Sequence, residues 1–197
     1  MGRPVVINVQ TDHLKRRSIR LPDYDYRQPG GYFLTICTHE RKMLFGEPRF
    51  AKITSETWAD LPNHHSNVEI DQFVVMPNHV HGILLLSDDR IHDSVGAQQA
   101  APLQAPKVFR GTVSGSLGAI VRSYKSSVAR EINVIRATPG APVWQRNYYE
   151  HVVRNERALH TIRQYIEDNP ARWAFDAENP TGKADQIERE FWEEIQR

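Results

Sequence analysis

At 197 residues the chain is long enough for one domain with a sizeable core and short for two. A composition of 40% hydrophobic, 25% charged and 9% aromatic residues is that of a globular protein rather than a disordered one. The formal charge is +1, Cys37 is the single cysteine, and apolar runs stop at about four residues, as in Phe73 to Met76; this excludes an intrachain disulfide, a multi-cysteine metal site and a transmembrane helix. The opening MGRPVVINVQ lacks the hydrophobic stretch of a signal peptide, so a soluble cytoplasmic protein away from membranes is expected.

Residues 1–29 read as a basic N-terminal extension carrying Lys15, Arg16, Arg17 and Arg20, and a single domain is expected over 30–175. Tyr32 to Thr38 is β-rich and predicts the first core strand, with Cys37 buried in it. A helix is predicted around Ser55 to Leu61. A strand over Val68 to Met76 then ends at the Pro77-Asn78 turn signal, and a further strand follows over His79 to Leu86. Residues 87–112, rich in Ala, Gln and Pro, predict a flexible loop within the domain.

Ser116 to Ile132 predicts the clearest helix, with Ser116 as N-cap and Leu117, Ile120, Val121, Tyr124, Val128 and Ile132 in one apolar stripe. Val143 to Val153 reads as extended. A helix from about Asn155 to Asp168 follows, stopped by Pro170. Residues 176–197 hold seven acids and three bases and predict an acidic C-terminal helix, with Ile187, Phe191 and Ile195 as its apolar positions. The order of elements fits an α+β sandwich with helices on an antiparallel sheet.

Charge is unevenly placed. Between Ser94 and Arg130 stand Lys107, Arg110, Arg122, Lys125 and Arg130 and no acid, the electrostatic footprint of a phosphate-backbone binder or, equally, a solvated face balanced by the acidic tail. His79 and His81 flank Val80 on a predicted strand, so their side chains share a face at a Cα spacing of roughly 6.5–7 Å. Two such imidazoles can converge on one ion, or each can be hydrogen-bonded to backbone or to neighbouring carboxylates. Tyr165 and Asn169 lie one turn apart at the end of a predicted helix. By pattern alone Tyr165 continues an apolar stripe and Asn169 precedes a helix-stopping proline.

PNHVHGILLL after a β-rich strand, then the basic helix SLGAIVRSYKSSVARE, then WQRNYYEHVVRNERALHTIRQYIEDNP occur in an order that resembles the REP-associated tyrosine transposases, single-tyrosine members of the HUH nuclease superfamily. The stretch FLTICTHERK fits the same family's first strand. The likeness runs from about Tyr32 to Trp173 and leaves out the N-terminal thirty residues, the Ala/Gln/Pro loop and the acidic tail. It implies a ferredoxin-like sandwich, His79 and His81 as metal ligands, Asn169 as a third polar ligand where insertion-sequence relatives carry glutamine, and Tyr165 as the nucleophile. The implied activity is cleavage and joining of single-stranded, hairpin-containing DNA through a 5′-phosphotyrosine, with Mg²⁺ or Mn²⁺ as cofactor. No GxxxxGK[ST] loop is present, and no ATP is expected. Members of the family include dimers, in which each tyrosine serves the partner's histidines, and monomers, so a homodimer is one expectation.

Arg122, Lys125 and Arg130 are the candidates for a DNA-backbone track, and Tyr148 and Tyr149 for base stacking, with core packing preferred for Trp144. Two other readings compete: a module that binds structured nucleic acid without cutting it, and a metal phosphodiesterase that uses water and dispenses with Tyr165.

Overall fold

The computed structural model describes residues 25–87 and 115–195; the basic N-terminal run and most of the Ala/Gln/Pro segment lie outside them. Four strands form one antiparallel sheet: β1 (Gly30–Cys37), β2 (Val68–Met76), β3 (His79–Leu86) and β4 (Tyr149–Val153), in the order β2-β3-β1-β4. With α1 (Pro48–Ala59) between β1 and β2 and α3 (Leu117–Ile135) between β3 and β4, this is the split βαβ arrangement of a ferredoxin-like fold. A short α2 (Leu61–His64) follows α1, and α4 (Glu156–Asp168) and α5 (Gln186–Ile195) come after β4.

Each face of the sheet is covered. Tyr32, Leu34 and Ile36 of β1 and Val80, Leu84 and Leu86 of β3 pack against Trp58 of α1 and Leu117, Ile120, Tyr124, Val128 and Ile132 of α3. Phe33 and Ile83 point the other way, with Tyr149, against Ile162 and Ile166 of α4 and Phe191, Trp192 and Ile195 of α5. Burial on both faces is why YFLTIC is a continuous β-rich run rather than an alternating one. Gly82 lies under the Trp58 ring, where a β-carbon would collide with it.

Several predicted boundaries move. The first helix begins earlier than Ser55, at Pro48, because proline suits the opening turn and the Glu47 side chain accepts from the Arg49 N–H. The third helix starts at the predicted Ser116 cap but runs on to Ile135. Of the extended stretch 143–153 only Tyr149–Val153 joins the sheet, while Trp144 makes an isolated bridge to Thr38. In α5 the expected apolar position Ile187 is 58% exposed, and Trp192 takes its place in the core. The helix is rotated so that Glu188 is buried as well.

Candidate metal centre and tyrosine site

The strand alternation of β3 places His79 and His81 on the face covered by α4 and α5, and both side chains are completely buried. Their rings meet edge to face with centroids 4.3 Å apart. The third member of the cluster comes from the acidic segment. Oδ2 of Asp176 lies 3.6 Å from Nε2 of His79 and 3.9 Å from Nε2 of His81. One ligand atom from each of these three buried residues falls within 4.8 Å of the others.

The ring nitrogens turned away from Asp176 are held by neighbours. Nδ1 of His79 bonds Oδ1 of Asn78 at 2.8 Å, and Nδ1 of His81 bonds Oγ1 of Thr35 at 2.9 Å. With Nδ1–H of His79 donating to Asn78, the lone pair stands on Nε2, facing Asp176. Asn78 also donates through Nδ2 to the Glu178 carbonyl at 2.7 Å, tying the acidic segment to the histidine strand. Glu178 in turn accepts from the Arg41 guanidinium at 2.8 Å and from the Cys37 thiol at 3.3 Å. Arg41 and the preceding Glu40 both have left-handed backbone (φ 52° and 56°), a strained turn beside this cluster.

Nε2 of His81 and Oδ2 of Asp176 are buried without a hydrogen-bond partner. Buried polar atoms are rarely left so, and two of them converging with a second imidazole form a donor set for a cation. Burial works to raise the Asp176 carboxyl, but the facing His81 and His79, when their imidazoles are protonated, and the Glu178 N–H outweigh it and hold the group well below the usual carboxylate range. The residues therefore suit a divalent ion in charge and donor type.

Tyr165 stands on α4 beside this centre, its ring 5.2 Å from that of His81. It is sandwiched face to face with Phe191 of α5, centroids 3.7 Å apart and planes within 3°. Its hydroxyl donates to Oε1 of Glu188 at 3.1 Å. The same oxygen accepts from Trp192 Nε1 at 2.7 Å and from the Ala177 N–H at 3.1 Å. Burial, aided by the Asp176 charge, pushes the Glu188 carboxyl up, against the Trp192 hydrogen bond.

Asn169, the expected third ligand, caps the end of α4 and is 2% exposed, and its Oδ1 has no hydrogen-bond partner. The carboxylate that joins the histidines, on Asp176, belongs to an acidic run, and the amide that orients His79, on Asn78, belongs to a turn signal. Neither carried a local mark of chemistry. Glu188 carries no such mark either; its one sequence signal is a position three residues before Phe191 on the apolar side of an amphipathic helix.

The nucleic-acid candidates separate. Arg122 and Arg130 are exposed on α3. Lys125 instead folds back to donate to the carbonyls of Gln145 (2.6 Å), Arg146 (3.2 Å) and Asn147 (3.5 Å), and burial lowers its ammonium to about 8. Tyr148 is half-buried against the α1/α3 core, and Tyr149 is 8% exposed with its ring against Phe33 and Trp192. Trp144 lies in the core, as preferred.

An uncharacterized protein of Haemophilus influenzae is 38% identical over 174 residues, spanning 82% of this chain and 91% of that one. The chain belongs to that protein's family. No family model matches it. Among solved structures, a REP-associated tyrosine transposase bound to a REP hairpin superposes with a TM-score of 0.54 at 17% identity, covering 76% of this chain and 71% of the other. The two share a fold, the expected α+β sandwich with its antiparallel sheet. Among the described residues no helix is long and apolar enough to cross a membrane.

Proposed function

We propose that this protein is a metal-dependent nicking and joining enzyme for single-stranded DNA, working through a 5′-phosphotyrosine on Tyr165. The observation that carries the reading is the meeting, within one chain, of a tyrosine ring with a buried His-His-Asp donor set. His79, His81 and Asp176 would hold the ion, and Asn169 offers a further buried oxygen. The mixed nitrogen and oxygen set suits Mn²⁺ better than Mg²⁺. A bound divalent ion supplies Lewis-acid polarisation of the scissile phosphate.

The chain's own groups do the rest. His79 and His81 are oriented by Asn78 and Thr35, so the site is built before any ligand arrives. Tyr165 is held by its stack on Phe191, which limits the hydroxyl to a narrow arc. A free phenol ionises only at about pH 10, so the hydroxyl must lose a proton to a neighbouring group as it attacks phosphorus. Because Tyr165 and His81 of the same chain are adjacent, we read the active site as assembled within one protomer. The fold shared with a protein solved on a REP hairpin supports a hairpin-containing substrate. Arg122 and Arg130 remain the exposed cations of α3 for its backbone.

The test is incubation with Mn²⁺ and a library of hairpin oligonucleotides carrying randomised single-stranded flanks, followed by denaturing electrophoresis and sequencing of trapped DNA. A protein–DNA adduct formed by the wild type and lost in Tyr165→Phe is expected. Cleavage that persists in Tyr165→Phe would assign a water-using phosphodiesterase, and retention of hairpins without any cleavage would assign a binding module.

A further inference from the structure

We infer that Glu188 is the proton acceptor that activates Tyr165, a role that rests on the phosphotyrosine reading above. The carboxylate is 2% exposed in a pocket walled by Phe191 and Trp192, an expensive place for an acid whose only task is to accept hydrogen bonds. A neutral amide would fill the same space at lower cost. Its Oε1 faces the reacting atom directly, at 3.1 Å from the Tyr165 hydroxyl, which is the reach general-base catalysis requires.

Two further donors fix that oxygen. Trp192 Nε1 at 2.7 Å and the Ala177 N–H at 3.1 Å hold Oε1 against rotation, one from the next turn of α5 and one from the segment that carries Asp176. The base is thus attached to the same stretch of chain as the metal ligand, and the two are positioned together. The charged and titratable groups facing Glu188 are Tyr165 from α4, Asp176 from the preceding segment and His81 from β3.

The step balances within these groups. The phenolic proton passes to Oε1 of Glu188 as the Tyr165 oxygen bonds to phosphorus. The bond from phosphorus to the 3′ oxygen breaks, and that oxygen leaves with a proton taken from water. In rejoining, an incoming 3′-hydroxyl gives its proton to the hydroxide left from that water, its oxygen displaces Tyr165 from phosphorus, and Glu188 returns to the phenolate the proton it took in the first step. No oxidant or nucleotide is needed.

The experiment is single-turnover adduct formation with Mn²⁺ and an oligonucleotide selected from the hairpin library, followed from pH 5 to 10. Glu188→Gln keeps the size of the side chain and an oxygen to accept from Tyr165, Trp192 and Ala177, and loses the negative charge and with it the capacity to take a proton. The rate at pH 7 should fall about 10²-fold or more, and it should climb tenfold per pH unit across the range, whereas the wild-type rate levels off. Glu188→Asp should retain the levelling profile at a reduced rate. Glu193→Gln, on the exposed side of α5, should match the wild type.

A Glu188→Gln rate within about threefold of wild type, or above it, would overturn the inference while leaving the phosphotyrosine intact; a faster variant would mean that the carboxylate restrains the hydroxyl. A wild-type rate that itself climbs tenfold per unit to pH 10 would overturn it even if the glutamine variant misfolds. Failure of the wild type to form any adduct would overturn the phosphotyrosine reading, and this inference with it.

Discussion

The two faces of the sheet are built from the same strands and do opposite work. Toward α1 and α3, β1 and β3 send Tyr32, Leu34, Ile36, Val80 and Leu84, and the ring of Trp58 rests on Gly82. Toward α4 and α5 the alternate residues include Thr35, Cys37, His79 and His81, polar or ionisable groups that are all buried, the two histidines as deeply as the leucines opposite. One face is built mainly from apolar side chains and stabilises the fold by burying them. The other spends some of that stability to hold two imidazoles and a carboxylate in a dry pocket. Because side chains alternate, a strand can serve both purposes without either compromising the other.

The most severe break in this comparison should come from the polar face. Tyr165→Phe is expected to abolish the covalent DNA adduct, and His81→Ala to abolish both the adduct and Mn²⁺ binding measured by calorimetry. Both proteins should keep a circular dichroism spectrum like the wild type. Loss of the fold in either would mean that this face is as structural as the other.

Trp58→Ala tests the apolar face. The indole is 1% exposed and meets Tyr124 edge-on at 5.1 Å, so its removal should cost about 3–5 kcal/mol in urea unfolding. Below the melting range the affinity for Mn²⁺ should stay at the wild-type value. A large change in metal affinity would show the faces to be coupled through β3.

Asn78→Ala removes the partner of His79 Nδ1 and the anchor of the Glu178 carbonyl. Mn²⁺ affinity should weaken about 10–100-fold, the usual scale for groups that orient a ligating histidine. Unchanged affinity would assign Asn78 to the turn alone.

The smallest effect concerns His151 on β4. Burial, with a lesser push from Arg154, lowers its imidazole to about 4. Above pH 6.5 neither the folded nor the unfolded chain protonates it, and it contributes no pH dependence. Between 6.5 and about 4 the unfolded chain takes up the proton and the folded one does not, so stability declines as pH falls. His151→Gln should flatten that part of the unfolding midpoint against pH; an unaltered curve would place the acid sensitivity elsewhere.

Local pattern was sufficient for much of this molecule. A period of two put His79 and His81 on one face, a stripe of period 3.6 defined α3 with its Ser116 cap, and Pro170 follows the end of α4. These signals are written within a few residues of each other, where backbone geometry alone fixes which side chains are neighbours. Asp176, Glu178 and Glu188 looked like three charges in an acidic tail, and Lys125 like one more cation on a basic helix. Their partners lie far along the chain: Asn78 meets the Glu178 carbonyl across 100 residues, and Lys125 closes on carbonyls some twenty residues away. No periodicity records such a meeting. It is decided when α5 packs on the second face of the sheet, driven by burial of Phe191, Trp192 and Ile195, and that apolar contact brings the carboxylates to the histidines and the tyrosine.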